Sequence, residues 1–217
     1  MVAMTTITTP TLGYADLPGL LRRLVGDEKH DRSSFSTLDV LWVLYDRVLR
    51  ADDRFLLSKG HGPAAYYAVL AAKGLIPVEA LDGFGGFDSP LGHHPDRVLV
   101  PGVELSSGSL GHGLPIAVGV ALAGQRVFCL VGDAELEEGS NWEAVQYAGR
   151  AGLDALTAVA IDNRSSTHGW PGGIAARFAL EGWTTAVADG RDHDALEGAL
   201  TAGRRGRPHL VVAEVLR

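Results

Sequence analysis

The apolar positions divide the chain into two stretches of different period. Between Thr37 and Arg50, Leu38, Leu41, Tyr45, Val48 and Leu49 fall on one helical stripe, which predicts a helix with Ser36 at its N-cap. Pro63–Lys73, rich in Ala and Tyr, predicts a second helix, and Gly111–Ala123 a third. The small side chains of the third suit close packing, and its Pro115 is tolerable only near the first turn. After residue 125 the short β-prone runs Val127–Val131, Thr157–Ile161, Thr184–Ala188 and Leu210–Val215 alternate with the helical stretches Glu138–Ala151, Ile174–Gly182 and Asp192–Ala202. That alternation predicts an α/β fold, a doubly wound and mostly parallel sheet with helices on both faces.

Sheets of this kind bind ligands beyond the carboxyl ends of their strands. Val131 is followed by Gly132-Asp133, Ile161 by Asp162-Asn163, and Ala188 by Asp189-Gly190. Asp133 and Asn163 stand 30 residues apart at the ends of successive strands, each offering a short side-chain oxygen. Such a pair suits Mg²⁺, which takes one or two protein carboxylates and fills its other positions with water and phosphate oxygens. A diphosphate ligand follows, and the glycines at 102, 108, 111 and 113 would let backbone amides approach it. Gly-Asp and Asp-Asn are also common loop pairs, so the spacing by itself does not decide.

Composition narrows the class. A net charge of −7 over 217 residues excludes nucleic-acid binding by bulk charge, and 46% hydrophobic with 21% charged residues describes a chain that buries a core. The single basic cluster, Arg204-Arg205-Gly206-Arg207, sits where a solvated turn is expected. Cys129, the one cysteine, lies inside an apolar run and permits no intramolecular disulfide, which suits a reducing compartment. Met1–Pro10 has neither the basic start nor the apolar run of a signal peptide, and every apolar window is interrupted before ~18 residues, so a cytoplasmic protein with no membrane segment is expected. The expected division is a loose tail over 1–12 and one domain over 13–217.

The wider text around Asp133 settles the reading. Gly132-Asp133-Ala134-Glu135-Leu136-Glu137-Glu138-Gly139, then Trp142-Glu143-Ala144 and later Asp162-Asn163, resembles the thiamine diphosphate motif of the transketolase family, in which Gly-Asp-Gly opens a segment of about thirty residues ending in Asn. Phe55-Leu56-Leu57-Ser58-Lys59-Gly60-His61-Gly62 is similar to that family's loop with a cofactor-facing histidine, and Gly92-His93-His94-Pro95-Asp96 to its Gly-His-Pro-Glu segment. Pro101 to Gly113 resembles the stretch over the thiazolium and diphosphate, and Asp189-Gly190-Arg191-Asp192-His193 has a counterpart as well. The resemblance runs in the family's order from about residue 15 to 215.

It implies the N-terminal, diphosphate-binding subunit of a split transketolase, with thiamine diphosphate and Mg²⁺ as cofactors and a sugar as substrate. Mg²⁺ would be held by Asp133, Asn163 and the backbone carbonyl of Ser165. Gly108 and Leu110 match positions lining the cofactor's rings, and Gly132, Asp133 and Ala134 match the diphosphate cradle. His112 stands where the family has a polar side chain near the diphosphate. His61 and His94 match histidines at the substrate hydroxyls and the cofactor end, a role suited to an imidazole titrating near neutrality. His30 matches another, in a segment, Lys29 to Ser36, that keeps the histidine and loses the glycines of Gly-His-Pro-Gly-Gly-Ser-Leu-Ser.

Glu138 matches a carboxylate at the subunit junction. The activating glutamate would come from a pyrimidine-binding partner in an α₂β₂ complex. Ala134 replaces the last glycine of Gly-Asp-Gly and is strained if its backbone needs a positive φ. His93, His168, His193 and His209 are expected to be structural or surface residues, Trp42, Trp142 and Trp183 to be core or interface, and Trp170 to cover the cofactor loop. The resemblance implies transfer of a two-carbon ketol unit from a ketose or ketose phosphate to an acceptor, and two other functions compete: transfer of that unit to a lipoyl or carrier-protein thiol, and a non-catalytic partner-binding scaffold.

Overall fold

The computed structural model describes residues 12–26, 31–203 and 206–215, with backbone alone at 31 and 32. His30 and the Arg204-Arg205 pair lie outside the described residues. Five strands, β1 Arg54–Leu57, β2 Val127–Gly132, β3 Leu156–Asp162, β4 Thr184–Asp189 and β5 His209–Glu214, form one sheet in the order β1-β2-β3-β5-β4. All four pairings are parallel, as the strand and helix alternation predicts.

Both faces of the sheet are covered over β2, β3 and β5, whose side chains divide between them with period two, while the edge strand β4 leaves one face exposed. Phe128 and Leu130 of β2, Val159 and Ile161 of β3, and Val211 and Ala213 of β5 join one core cluster. Val127, Cys129 and Val131, then Leu156, Ala158 and Ala160, then Leu210 and Val212, join the other. The first cluster is completed by α1 Leu17–Leu21, α3 Leu38–Val43, α4 Ala64–Ala72 and α8 His193–Thr201. The second is completed by α5 Gly113–Leu122, α6 Gly139–Ala151 and α7 Ile174–Leu180. Cys129 is fully buried, and that burial pushes its thiol well above its ordinary range, so it behaves as a small apolar side chain. Among the described residues no helix is long and apolar enough to cross a membrane.

Two expectations change. The stripe from Thr37 to Arg50 is not one regular helix: α3 ends at Val43 and the chain continues as a wider π-helical turn over Leu44–Val48. Nor is Ser36 the N-cap, since Thr37 holds that position and the Ser36 hydroxyl turns back to donate to the Ser33 carbonyl at 2.8 Å. The strand β1 is an addition to the predicted elements. Four residues opening on Arg54 are too few to show a period, and their extended form comes from pairing with Val127–Leu130 of β2. A further short helix, α2 Asp31–Phe35, precedes α3.

A buried carboxylate ties the ends of the described chain together. Asp39, 3% exposed, accepts hydrogen bonds from Tyr14 Oη at 2.5 Å and from Arg191 at 2.5 Å, and meets His193 Nε2 at 2.9 Å. His193 is therefore structural, as expected, and so is His209, which meets Thr184 Oγ1 and the Ala199 carbonyl. Burial pushes the Asp39 carboxyl up, and its bonds to Tyr14, His193 and Arg191 outweigh this and hold it below 3.8. A depressed carboxyl contributes fully above 3.8 and loses its contribution as pH falls through the folded value. Asp39→Asn should therefore cost about 1–3 kcal/mol at neutral pH. Urea titrations from pH 6 down to 3 check this: the gap between wild type and variant closes as the pH drops.

Candidate active site

Gly132 of β2 pairs with Ile161 of β3, and the Asp133 amide donates to the Ile161 carbonyl at 3.0 Å, so the two strands deliver Asp133 and Asn163 to one edge. The Asp133 side chain is buried inside a shell of donors. Oδ1 accepts from the Ala134 amide at 2.9 Å and from Ser165 Oγ at 2.5 Å. Oδ2 accepts from the Ser165 amide at 2.7 Å and the Ser166 amide at 3.1 Å. The loop after β3 thus wraps the carboxylate that follows β2. Trp170 lies over this loop, its indole donating to the Asp133 carbonyl at 3.0 Å and its ring 5.5 Å from Trp142. Beside it opens a cleft of about 320 Å³ lined by Asp133, Asp162, Arg164, Ser166, Trp170 and Glu214.

Asn163 Nδ2 donates to Ser36 Oγ at 3.2 Å, and its Oδ1 is buried with no hydrogen-bond partner. An unpaired buried acceptor costs about 1–3 kcal/mol. A cation on that oxygen removes the cost, and a carboxylate, an amide oxygen and a backbone carbonyl suit a hard ion of the Mg²⁺ kind. Among the described residues no group of three or more His, Cys, Asp or Glu side chains is placed to hold a metal.

Above these strand ends the glycine-rich stretch is held by one carboxylate to which neither pattern nor resemblance assigns a role. Glu135 is buried: Oε1 accepts from Ser58 Oγ at 2.5 Å and from the Gly111 amide at 3.0 Å, and Oε2 accepts from the Gly132 amide at 3.2 Å. Ser58 Oγ in turn accepts from the Gly113 amide at 3.0 Å, which brings the start of α5 onto the end of β1. A Cβ on Gly113 would lie 2.3 Å from Ser58 Oγ, so only glycine permits this approach. Burial pushes the Glu135 carboxyl up, against the pull of these bonds and of Lys59. Lys59, 6% exposed, packs its methylenes over Gly132, and burial lowers its ammonium to about 8 against the opposing fields of Asp133 and Glu135.

His61 and His94, one from the loop after β1 and one from the loop after α4, meet ring to ring at 5.4 Å and 84°. His94 Nδ1 meets the Gly60 carbonyl at 3.1 Å. Its ring lies against Gly108, whose φ of 138° and 3.0 Å clearance between an added Cβ and the ring both require glycine. The structure therefore brings His61, His94 and Gly108 together. Leu110 is half-buried two residues on, and His112 is exposed at the N-cap of α5 without a capping bond. Glu138 is exposed at the N-cap of α6, with its Cβ beside Gly111.

Ala134 has φ −68°, so the replacement of glycine is free of the strain that a positive φ would bring. The strained residue is Arg164 at φ 58°, the one non-glycine with positive φ among the described residues, seated between Asn163 and Ser165. Neither Lys59 nor Glu135 announces itself in sequence. Lys59 sits inside a Ser-Lys-Gly-His loop, and Glu135 opens an acidic run, Glu135 to Glu138 apart from Leu136, whose other members are solvated.

Known proteins share this fold and much of this text. A family model described as the thiamine diphosphate binding domain of transketolase matches residues 30–216. A protein of Rhodococcoides fascians named "Ferredoxin fas2" is 52% identical over 220 residues, which is 94% of this chain and 72% of that protein. An apulose-4-phosphate transketolase subunit of Actinobacillus succinogenes is 35% identical over 210 residues, 87% of this chain and 76% of that protein. A Pichia stipitis transketolase solved with fructose-6-phosphate superposes with a TM-score of 0.76 at 25% identity over 93% of this chain. This chain spans 36% of that one. The Leishmania mexicana transketolase, at 24% identity and a TM-score of 0.75, shows the shared fold.

The chain belongs to the transketolase family of thiamine diphosphate-dependent transferases. Within it, the chain is the thiamine diphosphate-binding part, the N-terminal portion that some members carry as a subunit of its own. The word ferredoxin in one relative's name does not fit these 217 residues, which hold one cysteine where an iron–sulfur cluster takes four thiolates.

Backbone conformation makes two opposite predictions at the site. Arg164→Gly should raise thermal stability by about 1 kcal/mol through relief of the left-handed conformation, and Ala134→Gly should lower it by roughly 0.5–1 kcal/mol. Gly113→Ala should cost about 1–3 kcal/mol by overpacking against Ser58. Calorimetric melting of the three variants checks all signs in one series.

Proposed function

We propose that this chain is the diphosphate-binding subunit of a two-component, cytoplasmic transketolase. It would transfer a two-carbon ketol unit from a ketose to an acceptor, and act only with a pyrimidine-binding partner. The observation that carries the reading is the buried, unpartnered Asn163 Oδ1 beside Asp133 at the ends of adjacent strands. Asp133, Asn163 and the Ser165 carbonyl would hold Mg²⁺, and the backbone at Gly132, Asp133 and Ala134 would meet the diphosphate. Thiamine diphosphate, when bound, supplies the nucleophilic carbon that opens the donor's carbon–carbon bond.

What the chain's own groups do follows from their places. His61 and His94, packed together against Gly108, would take and return protons at the hydroxyls of the sugar. Gly108 and Leu110 would line the cofactor's rings and keep water from the reacting carbon. Glu138, exposed at the start of α6, would reach the activating glutamate of the partner, and pairing of two such chains with two partners gives α₂β₂. Two relatives, named as subunits of an apulose-4-phosphate transketolase and of a 6-deoxy-6-sulfo-D-fructose transketolase, support both a partner and a sugar substrate. The paired histidines and the fitted metal set favour this over a scaffold. Parallel assays with aldose phosphates and with a lipoyl domain as acceptors separate it from thiol transfer.

Removal of the one carboxylate ligand should be decisive: Asp133→Ala abolishes magnesium-dependent thiamine diphosphate binding, and Asn163→Ala weakens it less. Isothermal calorimetry of the two variants tests the site, and unchanged affinity in both would overturn it. With the partner present, His61→Ala and His94→Ala should each lower kcat about 10²–10⁴-fold while cofactor binding stays largely intact. A loss under about tenfold would remove them from proton transfer. The purified chain alone should show no turnover.

A further inference from the structure

The residues Ser33 to Ser36, within the segment that departs from the family's glycine-rich pattern, are where the proposed metal ligand and the histidine loop become physically joined. Five residues make the connection. Asn163 Nδ2 donates to Ser36 Oγ at 3.2 Å, and Ser36 Oγ donates to the Ser33 carbonyl at 2.8 Å. The Lys59 ammonium donates to the same carbonyl at 3.0 Å and also to Ser33 Oγ. Ser33 Oγ then donates to the His61 carbonyl at 2.8 Å. Ser34 Oγ makes a parallel bond of 2.5 Å to the Gly62 carbonyl, so α2 is clamped onto the loop after β1 at two successive residues.

Each member of this chain has its polarity imposed by the next. A carbonyl only accepts and an ammonium only donates, so the Ser33 carbonyl draws the Ser36 proton, and Lys59 compels Ser33 Oγ to give its own proton to His61. Ser36 Oγ, its proton already donated, can only accept from Asn163. That fixes which end of the Asn163 amide faces Ser36: nitrogen inward, and Oδ1 left over as the buried acceptor without a partner.

We propose that Lys59 and Ser33 are positioning residues that couple cation binding at Asn163 to the placement of the His61 loop, through the continuous chain Asn163–Ser36–Ser33–His61, with Lys59 gripping both the carbonyl and the hydroxyl of Ser33. The inference rests on the proposed cofactor site. Each acts through another residue, Ser33 on the His61 carbonyl and Lys59 on Ser33. Lys59 reaches both partners because its stem crosses Gly132 with no side chain in its path, a Cβ there lying 3.2 Å from Lys59 Cδ. Ser33 supplies the hydroxyl at a position where the resembling text has glycine. The lost glycine is thus replaced by a hydrogen-bonded bridge.

Amide hydrogen exchange of the chain in complex with its partner, with and without Mg²⁺ plus thiamine diphosphate, reads the coupling apart from activity. In the wild-type chain, loading should slow exchange across residues 58–62. Ser33→Ala should still load, within about threefold of the wild-type affinity, and lose most of that slowing, because a coupling of this kind is carried by the bridge and not by the ligands. Ser33→Thr, which keeps the hydroxyl, should restore it. With the partner present, Ser33→Ala should lower kcat about three- to tenfold at nearly unchanged KM. Lys59→Met, which keeps the stem over Gly132, should uncouple the loop in the same way, and the double variant should cost no more than the larger single change.

Two results overturn the inference. One is Ser33→Ala loading and slowing exchange as the wild type does. The other is Lys59→Met abolishing loading while Ser33→Ala is silent, which makes Lys59 only a counter-charge to Asp133 and Glu135. If the wild-type chain with its partner fails to load at all, the cofactor site itself is refuted, and this outcome is distinct from the other two.

Discussion

The Glu135 carboxylate is the interaction on which the architecture of the site depends. Its two oxygens gather the end of β1 through Ser58, the end of β2 through the Gly132 amide, and the glycine-rich stretch through the Gly111 amide. Three segments remote in sequence are thereby fixed to one buried charge. The bonds are charge-assisted and lie in a low-dielectric setting, where each is worth more than at the surface and a missing one costs correspondingly more. Everything that follows in space, the His61 loop after Ser58 and the Asp133 shell after Gly132, inherits its position from that junction.

A second constraint comes from the parallel sheet. Its carboxyl edge presents side chains from neighbouring strands at fixed separation, so the two residues after β2 and β3 are a rigid pair without any help from loops. The loop between Asn163 and Trp170 closes around Asp133 at the expense of the left-handed Arg164 backbone. Ala134, by contrast, is tolerated because the chain there is already right-handed. The departure from glycine falls where glycine has no conformational task.

Four of the five strands and, apart from where α3 ends, six of the helices were legible: β2, β3 and β5 are buried on both faces and read as continuous apolar runs. The resemblance made His61, His94, Asp133 and Asn163 legible, and the structure brings His61 to His94 and Asp133 to the Asn163 loop. Short or context-made features were not legible. β1 is extended through its pairing with β2, and Ser36 has the residue type of an N-cap but gives its hydroxyl proton to the Ser33 carbonyl. Glu135 and Lys59 look like solvated charges in the text. Their burial arises only when three distant segments meet, which no local window contains.

Charge balance explains why a lysine is buried at such a place. Asp133 and Glu135 bring two carboxylates to the lip where the proposed diphosphate would lie, and an anion approaching two uncompensated negative charges meets repulsion that a low dielectric magnifies. Lys59 offsets part of that field from beneath, with its ammonium anchored on Ser33 and its stem filling the space over Gly132. An arginine could not follow that path, because its planar guanidinium is bulkier than the four-carbon stem and needs its five donors satisfied. The same lysine therefore serves two purposes: it tempers the negative charge beneath a phosphate site, and by gripping Ser33 it makes the segment over His61 part of the same polar network.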